Sequence, residues 1–396
     1  MLNVGSLLPL ALQNKEKLVR WRRDFHEHPE IAYEEFRTSS IVADHLKSLG
    51  LEVRTQVGKT GVVGLLRGEE PGPTFALRAD MDALPIQDQK DAAYRSKHAG
   101  KAHLCGHDAH TSILMGAAEL LAGLGKPKRG NVKFIFQPAE EGGAGAKAMM
   151  DDGALRDPKV DAIAGLHMYP GLPTGSFGVT RGTAFASVDS IEIKIFGKGG
   201  HAARPHEGVD AIAVSAQVIT ALQHIASRMV DPLDPVVVSI GKLSGGVMGT
   251  VIADEVSMSG TIRTLSSGLR SQMPALVEQV IRGVTESMGA KYELDYIMSY
   301  PVVRNDDGMV DFLTRTNEKL FGDKRWSYLK PSTGGEDFGF YAEEIPGVFF
   351  RLGSGDGRAE TSYPLHHPKF DLDEEALPYG AAMLSALAVA YLSGDF

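Results

Sequence analysis

Between residues 186 and 299 the apolar periodicity runs in the order strand, helix, strand, strand, helix, strand. Val188 to Phe196 alternates at Ile191, Glu192, Ile193, Lys194 and Ile195, the two-residue repeat of a strand with one buried face. A helical repeat covers about 207–229, and strands fall near 236–243 and 255–264. A second helix covers about 268–288, and Tyr292, Leu294, Tyr296 and Met298 mark a strand near 291–298. That order is the signature of an α+β unit with its own apolar face to bury.

The flanking sequence has a different rhythm. Residues 15–49 read as a long helix with Leu18, Phe25, Ile41, Leu46 and Leu49 on its apolar positions, interrupted near Pro29 and ended by Gly50. Strands are predicted near 62–66 and 74–79, then a helix from Thr111 to Leu124, a strand Asn131–Phe136, and a strand Asp161–Leu166 ending at His167. A last apolar helix lies near 374–393. Strands alternating with helices predict an α/β domain, a mostly parallel sheet flanked by helices. A chain of 396 residues is also too long for one ordinary core. The expected organisation is therefore a discontinuous first domain, 1–185 with 300–396, and an inserted ferredoxin-like domain, 186–299.

Open α/β sheets gather ligands at the carboxyl ends of their strands. Asp80, Asp82, Glu140, Glu141 and His167 each fall at or just past a predicted strand, as residues of one shared site would.

Acidic residues (50) outnumber basic ones (41), for a net charge of −9, which argues against nucleic acid or an anionic membrane as partner. No apolar run approaches the roughly 18 residues that span a bilayer. Ser6 to Leu12 reads as the approach to a helix and not as a signal peptide. The one cysteine cannot form a disulfide within the chain and fits a reducing cytoplasm.

That cysteine sits in the densest chemistry of the chain, His103-Leu-Cys-Gly-His-Asp-Ala-His110. Thiolate and imidazole two residues apart suit zinc and its neighbours. Further ligands must come from elsewhere, and Cys105, His107, Glu141, His167 and His366 make a set large enough for two metals. The adjacent Glu140 and Glu141 can divide the work. Glu141 binds metal, while Glu140 takes a proton from water activated there.

The motifs extend over nearly the whole chain: Arg22-Arg-Asp-Phe-His-Glu-His-Pro-Glu30, Leu77-Arg-Ala-Asp-Met-Asp-Ala-Leu-Pro85, Cys105-Gly-His-Asp-Ala-His110, Gln137-Pro-Ala-Glu-Glu141, Gly199-Gly-His-Ala-Ala-Arg-Pro-His206, Gly334-Gly-Glu-Asp-Phe338 and His366-His-Pro368. With them the chain resembles the aminoacylase/carboxypeptidase family of dinuclear metallohydrolases. The match is to its amidohydrolase subgroup of hippurate hydrolases, N-acyl-amino-acid deacylases and auxin-conjugate hydrolases. The resemblance implies two divalent ions per subunit (zinc, manganese, cobalt or nickel). It implies Cys105, His107, Glu141, His167 and His366 as ligands, with His366 preferred to His367 because the family ligand lies two residues before the proline. Cys105 would stand where relatives have an acidic bridge, and Asp82 would orient a ligand from behind. Position 80 is Asp where many members have a metal-binding His, which leaves its role open.

By the same resemblance the inserted domain is a lid and dimerisation domain, and His201 stabilises the oxyanion. Arg263 suits a substrate carboxylate, and the loop with Gly334 and Gly335 lines the pocket. The expected activity is hydrolysis of an N-acyl amino acid, a small molecule, to a carboxylic acid and an amino acid, by a homodimer or homotetramer. A dipeptidase or carboxypeptidase on the same scaffold and a non-catalytic binding protein are the alternatives. A zinc nucleobase deaminase is excluded, because one cysteine cannot supply a Pro-Cys-x-x-Cys element.

Overall fold

The computed structural model describes residues 4–396. Its contacts divide the chain into two compact units, Met1–Gly182 with Arg304–Lys330 and Asp337–Phe396, and Thr183–Val303 with Pro331–Glu336. Residues 183–185, 300–303 and 331–336, expected in the first domain, therefore group with the second unit.

Near its start the first unit holds α1 (Lys15–Glu27) and α2 (Phe36–Ser48), separated by the loop that contains Pro29. Leu7–Gln13, expected to lead into a helix, is a short helix itself. There follow β1 (Glu52–Val57), β2 (Gly61–Arg67), β3 (Glu70–Asp80), α3 (His107–Gly123), β4 (Arg129–Gln137), β5 (Ala162–Pro173) and β6 (Phe177–Val179). The second unit contributes β7 (Val188–Phe196), α4 (Ala211–His224), β8 (Val236–Gly245), β9 (Glu255–Thr264), α5 (Ser267–Ser287) and β10 (Lys291–Tyr300). The chain then returns to the first unit with α6 (Asp307–Phe321), β11 (Trp326–Tyr328), β12 (Gly347–Gly355) and α7 (Ala376–Leu392).

One eight-stranded sheet spans the first unit in the order β1-β2-β4-β3-β5-β12-β6-β11. Its centre, β4-β3-β5-β12, is parallel, and antiparallel pairs join β1, β2 and β6 to it. Parallel strands covered on both faces read as nearly continuous apolar runs, and β4 is buried from Gly130 to Gln137. α3 and α7, both almost wholly buried, pack into the same core. The register aligns the site: Asp80 pairs with Gln137, and Arg78 pairs with Gly165, two residues before His167. Three neighbouring strands thus deliver polar side chains to one sheet end.

In the second unit β8-β9-β7-β10 form a fully antiparallel sheet. Ile191, Ile193 and Ile195 share its core with Val214, Val218 and Leu222 of α4 and Met273, Val277 and Ile281 of α5. Asp210 caps α4 through the amides of Ile212 and Ala213, so the helix begins later than the apolar pattern suggests. Among the described residues no helix is long and apolar enough to cross a membrane.

Candidate metal centre

Gly106 has φ 98° and places Cys105 just before, and His107 at the first position of, α3. The helix therefore starts four residues ahead of the expected Thr111, and His107 faces the sheet end from its first turn. His167 lies inside β5, which runs on to Pro173 and does not stop before it. Glu140 and Glu141 occupy the turn after β4, and His366 a loop residue with φ 67°.

These side chains converge. Cys105, His107 and His167 place one ligand atom each within 4.8 Å of one another, and Cys105, Glu141 and His366 do the same. Cys105 belongs to both groups. Its Sγ lies 3.4 Å from His167 Nε2, while the other ring nitrogen of His167 donates to Met168 O at 2.8 Å. His107 Nδ1 donates to Asp82 O at 2.9 Å, which leaves Nε2 buried without a hydrogen-bonding partner. Glu141 Oε1 is buried in the same state, although His366 Nε2 is only 3.2 Å away. Buried polar atoms are rarely left unpaired. A pair of divalent cations would satisfy these atoms, and the mixed S, N and O donors are of the type that binds them.

The charges fit as well. Burial, reinforced by Glu141, pushes the Cys105 thiol well above the usual range. Burial and the neighbouring His110 hold His167 well below its usual range, so it is a neutral donor. Burial opposes a charge on His107, but Asp80, Cys105 and Asp82 outweigh it and hold the ring well above the imidazole range. A cation held by these residues would replace the protons that Cys105 and His107 retain without one.

Asp80 takes a defined place behind the ligands. It accepts Arg78 Nη1 at 2.7 Å and His110 Nδ1 at 2.6 Å, and it is fully buried. Burial raises its pKa, but His107, His110 and Arg78 hold the carboxyl well below the usual range. His110 Nε2 accepts the Met168 amide at 2.8 Å, so both nitrogens of that ring are committed. Asp82 braces the acidic pair: Oδ1 accepts the Glu140 amide at 3.0 Å and Oδ2 the Glu141 amide at 2.9 Å.

The remaining expected residues lie in the second unit. His201 is exposed on a two-residue strand, Gly200–His201, paired with Val251–Ile252, and its Nδ1 accepts the Ala203 amide at 3.1 Å. Arg263, on β9, donates to Thr333 O at 3.2 Å, next to Gly334. A Cβ on Gly335 would meet Val188 Cγ2 at 2.3 Å, which accounts for glycine there.

Three contributors were not identified from the sequence. Asp337 accepts Arg78 Nη2 at 2.9 Å, Gln137 Nε2 at 2.8 Å and the Ala146 amide at 2.9 Å, and its own amide reaches Glu140 Oε1 at 3.4 Å. Burial pushes its carboxyl up to about 6 even though Arg78 pulls it down. All three lie within the quoted motifs, and the charge of Arg78 on a central strand was the available signal.

Over 377 residues, 95% of this chain and 97% of the other, the chain is 40% identical to the N-acetylcysteine deacetylase of Bacillus subtilis. Over 394 residues, 98% of this chain and 89% of the other, it is 39% identical to an IAA-amino acid hydrolase of Arabidopsis thaliana. It is also similar to the crystal structure of a Bacillus subtilis protein described as a dinuclear metal binding peptidase. That match has 38% identity and a TM-score of 0.83, covering 96% of this chain and 98% of that one. Residues 76–390 match the model of peptidase family M20/M25/M40, and the chain belongs to that family of hydrolases.

Proposed function

We propose that the chain is a dinuclear metal-dependent amidohydrolase that cleaves N-acyl amino acids, with N-acetyl or N-benzoyl groups among its acyl substituents. One observation carries the reading: two groups of ligand atoms share Cys105, and Glu140 lies beside them within reach of His107 and Glu141. Cys105, His107 and His167 would hold one ion and Cys105, Glu141 and His366 the other, as zinc, manganese, cobalt or nickel. When bound, such ions supply Lewis acidity and lower the pKa of water.

Glu140 takes the proton of the attacking water and returns it to the leaving amine nitrogen. Asp82 and the Asp337 amide fix its direction. His201 is the proposed oxyanion donor and Arg263 the partner of the substrate carboxylate, with Gly334 and Gly335 at the pocket wall. The names of the deacetylase and the conjugate hydrolase support an amino acid on the leaving side. The description of the solved relative as a peptidase favours one second reading, cleavage of dipeptides or of carboxy-terminal residues.

A homodimer, or a tetramer built from it, is the proposed assembly. The exposed apolar residues Leu243, Val247 and Met248 at the end of edge strand β8 support a second copy as the partner. The free buried thiol supports the cytoplasm as the compartment.

The deciding experiment is a hydrolysis panel of N-acetyl and N-benzoyl amino acids and dipeptides, with chelator and metal add-back. Expected are chelator-sensitive turnover of the N-acyl substrates and its loss by about 10²-fold or more in Glu140→Gln, with metal retained. Turnover indifferent to chelator, or unchanged in Glu140→Gln, contradicts the reading.

A further inference from the structure

The turn that carries Glu140 and Glu141 is gripped by side chains the metal reading does not use. Ala139, immediately before Glu140, has φ 54°, a left-handed conformation that a side chain disfavours. Such a backbone persists only where its neighbours over-determine it. The Ala139 amide donates to Glu35 Oε1 at 2.9 Å. The same carboxylate accepts the Tyr33 amide at 3.0 Å and, on Oε2, the Thr60 hydroxyl. The Tyr33 hydroxyl donates to Gly143 O at 2.7 Å, so residues 33–35 hold the turn at two points. The turn has little room to adjust: a Cβ on Gly145 would meet Pro138 O at 1.7 Å.

We infer that Glu35 is a positioning residue for the general base, its ionised carboxylate holding Ala139 in the left-handed state and thereby aiming Glu140. The inference rests on the reading of Glu140 as the base. An ionised carboxylate accepts from all three donors and, being charged, holds the Ala139 amide more strongly than a neutral carboxyl does; protonated on Oε2, it donates to the Thr60 hydroxyl and leaves only a neutral Oε1 to accept from Tyr33 and Ala139.

Glu35 is fully buried. Burial pushes its carboxyl up to about 7; the Thr60 hydroxyl lowers it, Asp82 raises it and the Ala139 amide lowers it. The charged and titratable groups facing it are Asp82 and Tyr33, with Lys59 Nζ 3.8 Å above the Tyr33 ring. As pH falls through that value Glu35 gains a proton, the hydrogen bond from the Ala139 amide loses its charge assistance, and Glu140 is less well aimed. The acid side of the kcat profile therefore carries an inflection that belongs to Glu35.

The test compares the metal-loaded full chain with Glu35→Gln, Thr60→Val and Thr60→Ser, reading kcat and KM across pH and backbone hydrogen exchange of the peptide spanning 137–146. Expected for Glu35→Gln are a kcat lowered by roughly 10- to 100-fold, KM within about twofold, no inflection near neutrality, and faster exchange at 139–141. Thr60→Val, which removes a donor to the charged form, moves the inflection to higher pH, and Thr60→Ser restores it. Wild-type kcat in Glu35→Gln, or loss by one factor at every pH with the inflection retained, overturns the inference. If Glu35→Gln does not fold, the threonine pair decides, and an inflection unmoved in Thr60→Val overturns it. The exchange measurement needs no turnover. Unchanged exchange in Glu35→Gln sinks this inference alone, whereas wild-type turnover in Glu140→Gln sinks the hydrolase reading.

Discussion

Cys105 and His107 face a conflict that a bound cation would resolve. Both are fully enclosed, and both keep their protons in the metal-free protein, the thiol through burial and Glu141, the imidazole through Asp80 and its neighbours in spite of burial. Ligation requires the thiolate and a free Nε2 lone pair. Metal binding should therefore release protons, and affinity should rise with pH, because both pKa values are raised and deprotonation is easier at higher pH. Calorimetric titration with Zn²⁺ in two buffers of different ionisation enthalpy measures that release. Proton release between one and two per site pair, with weaker binding at pH 6 than at pH 8, is the expected outcome; pH-independent binding without proton release contradicts it.

At the scale of elements, the turn into α3 does the most positioning. Gly106 spends the left-handed conformation that lets Cys105 and His107 face one point from opposite sides of a bend. Gly106→Ala should destabilise the protein by about 1–2 kcal/mol and lower metal affinity, as seen in denaturant melts with and without metal. Stability and affinity both equal to wild type would show that the bend is not strained. This start of α3 was not readable from periodicity, because Gly106 makes no side-chain cap and the apolar repeat begins further on. β1 was missed for a related reason. It is a mostly exposed edge strand, Glu52-Val-Arg-Thr-Gln-Val57, and the alternation of Leu51, Val53 and Val57 with Glu52, Arg54 and Gln56 was a signal that went unread beside the stronger apolar run that follows. β5 was cut short at His167 because Pro170 and Pro173 lie in its continuation. The strands and helices between 188 and 300, by contrast, could be read from the sequence. Their sheet buries one face only, and the alternation at 191–195 states that directly. Among candidate site residues, the side chains that the structure brings together at Cys105 could be picked out from their chemistry. The bracing pair Arg78 and Asp337 could not, because its partners stand 259 residues apart, on either side of the inserted unit.

At the scale of the whole molecule, the chain holds two separately cored units. If the exposed apolar end of β8 joins two copies, replacing Val247 and Met248 by Asp should convert a species of twice the chain mass to single chains in light scattering. A wild-type chain that already sediments singly would remove the dimer from the proposal. The claim on which everything else depends is that Cys105 is shared by two cations. Elemental analysis of dialysed, metal-reconstituted protein tests it directly. The wild-type chain should retain two equivalents per subunit, and Cys105→Ala one or fewer, with the fold unchanged. Two equivalents retained in Cys105→Ala, or a wild-type chain that binds none, would contradict it.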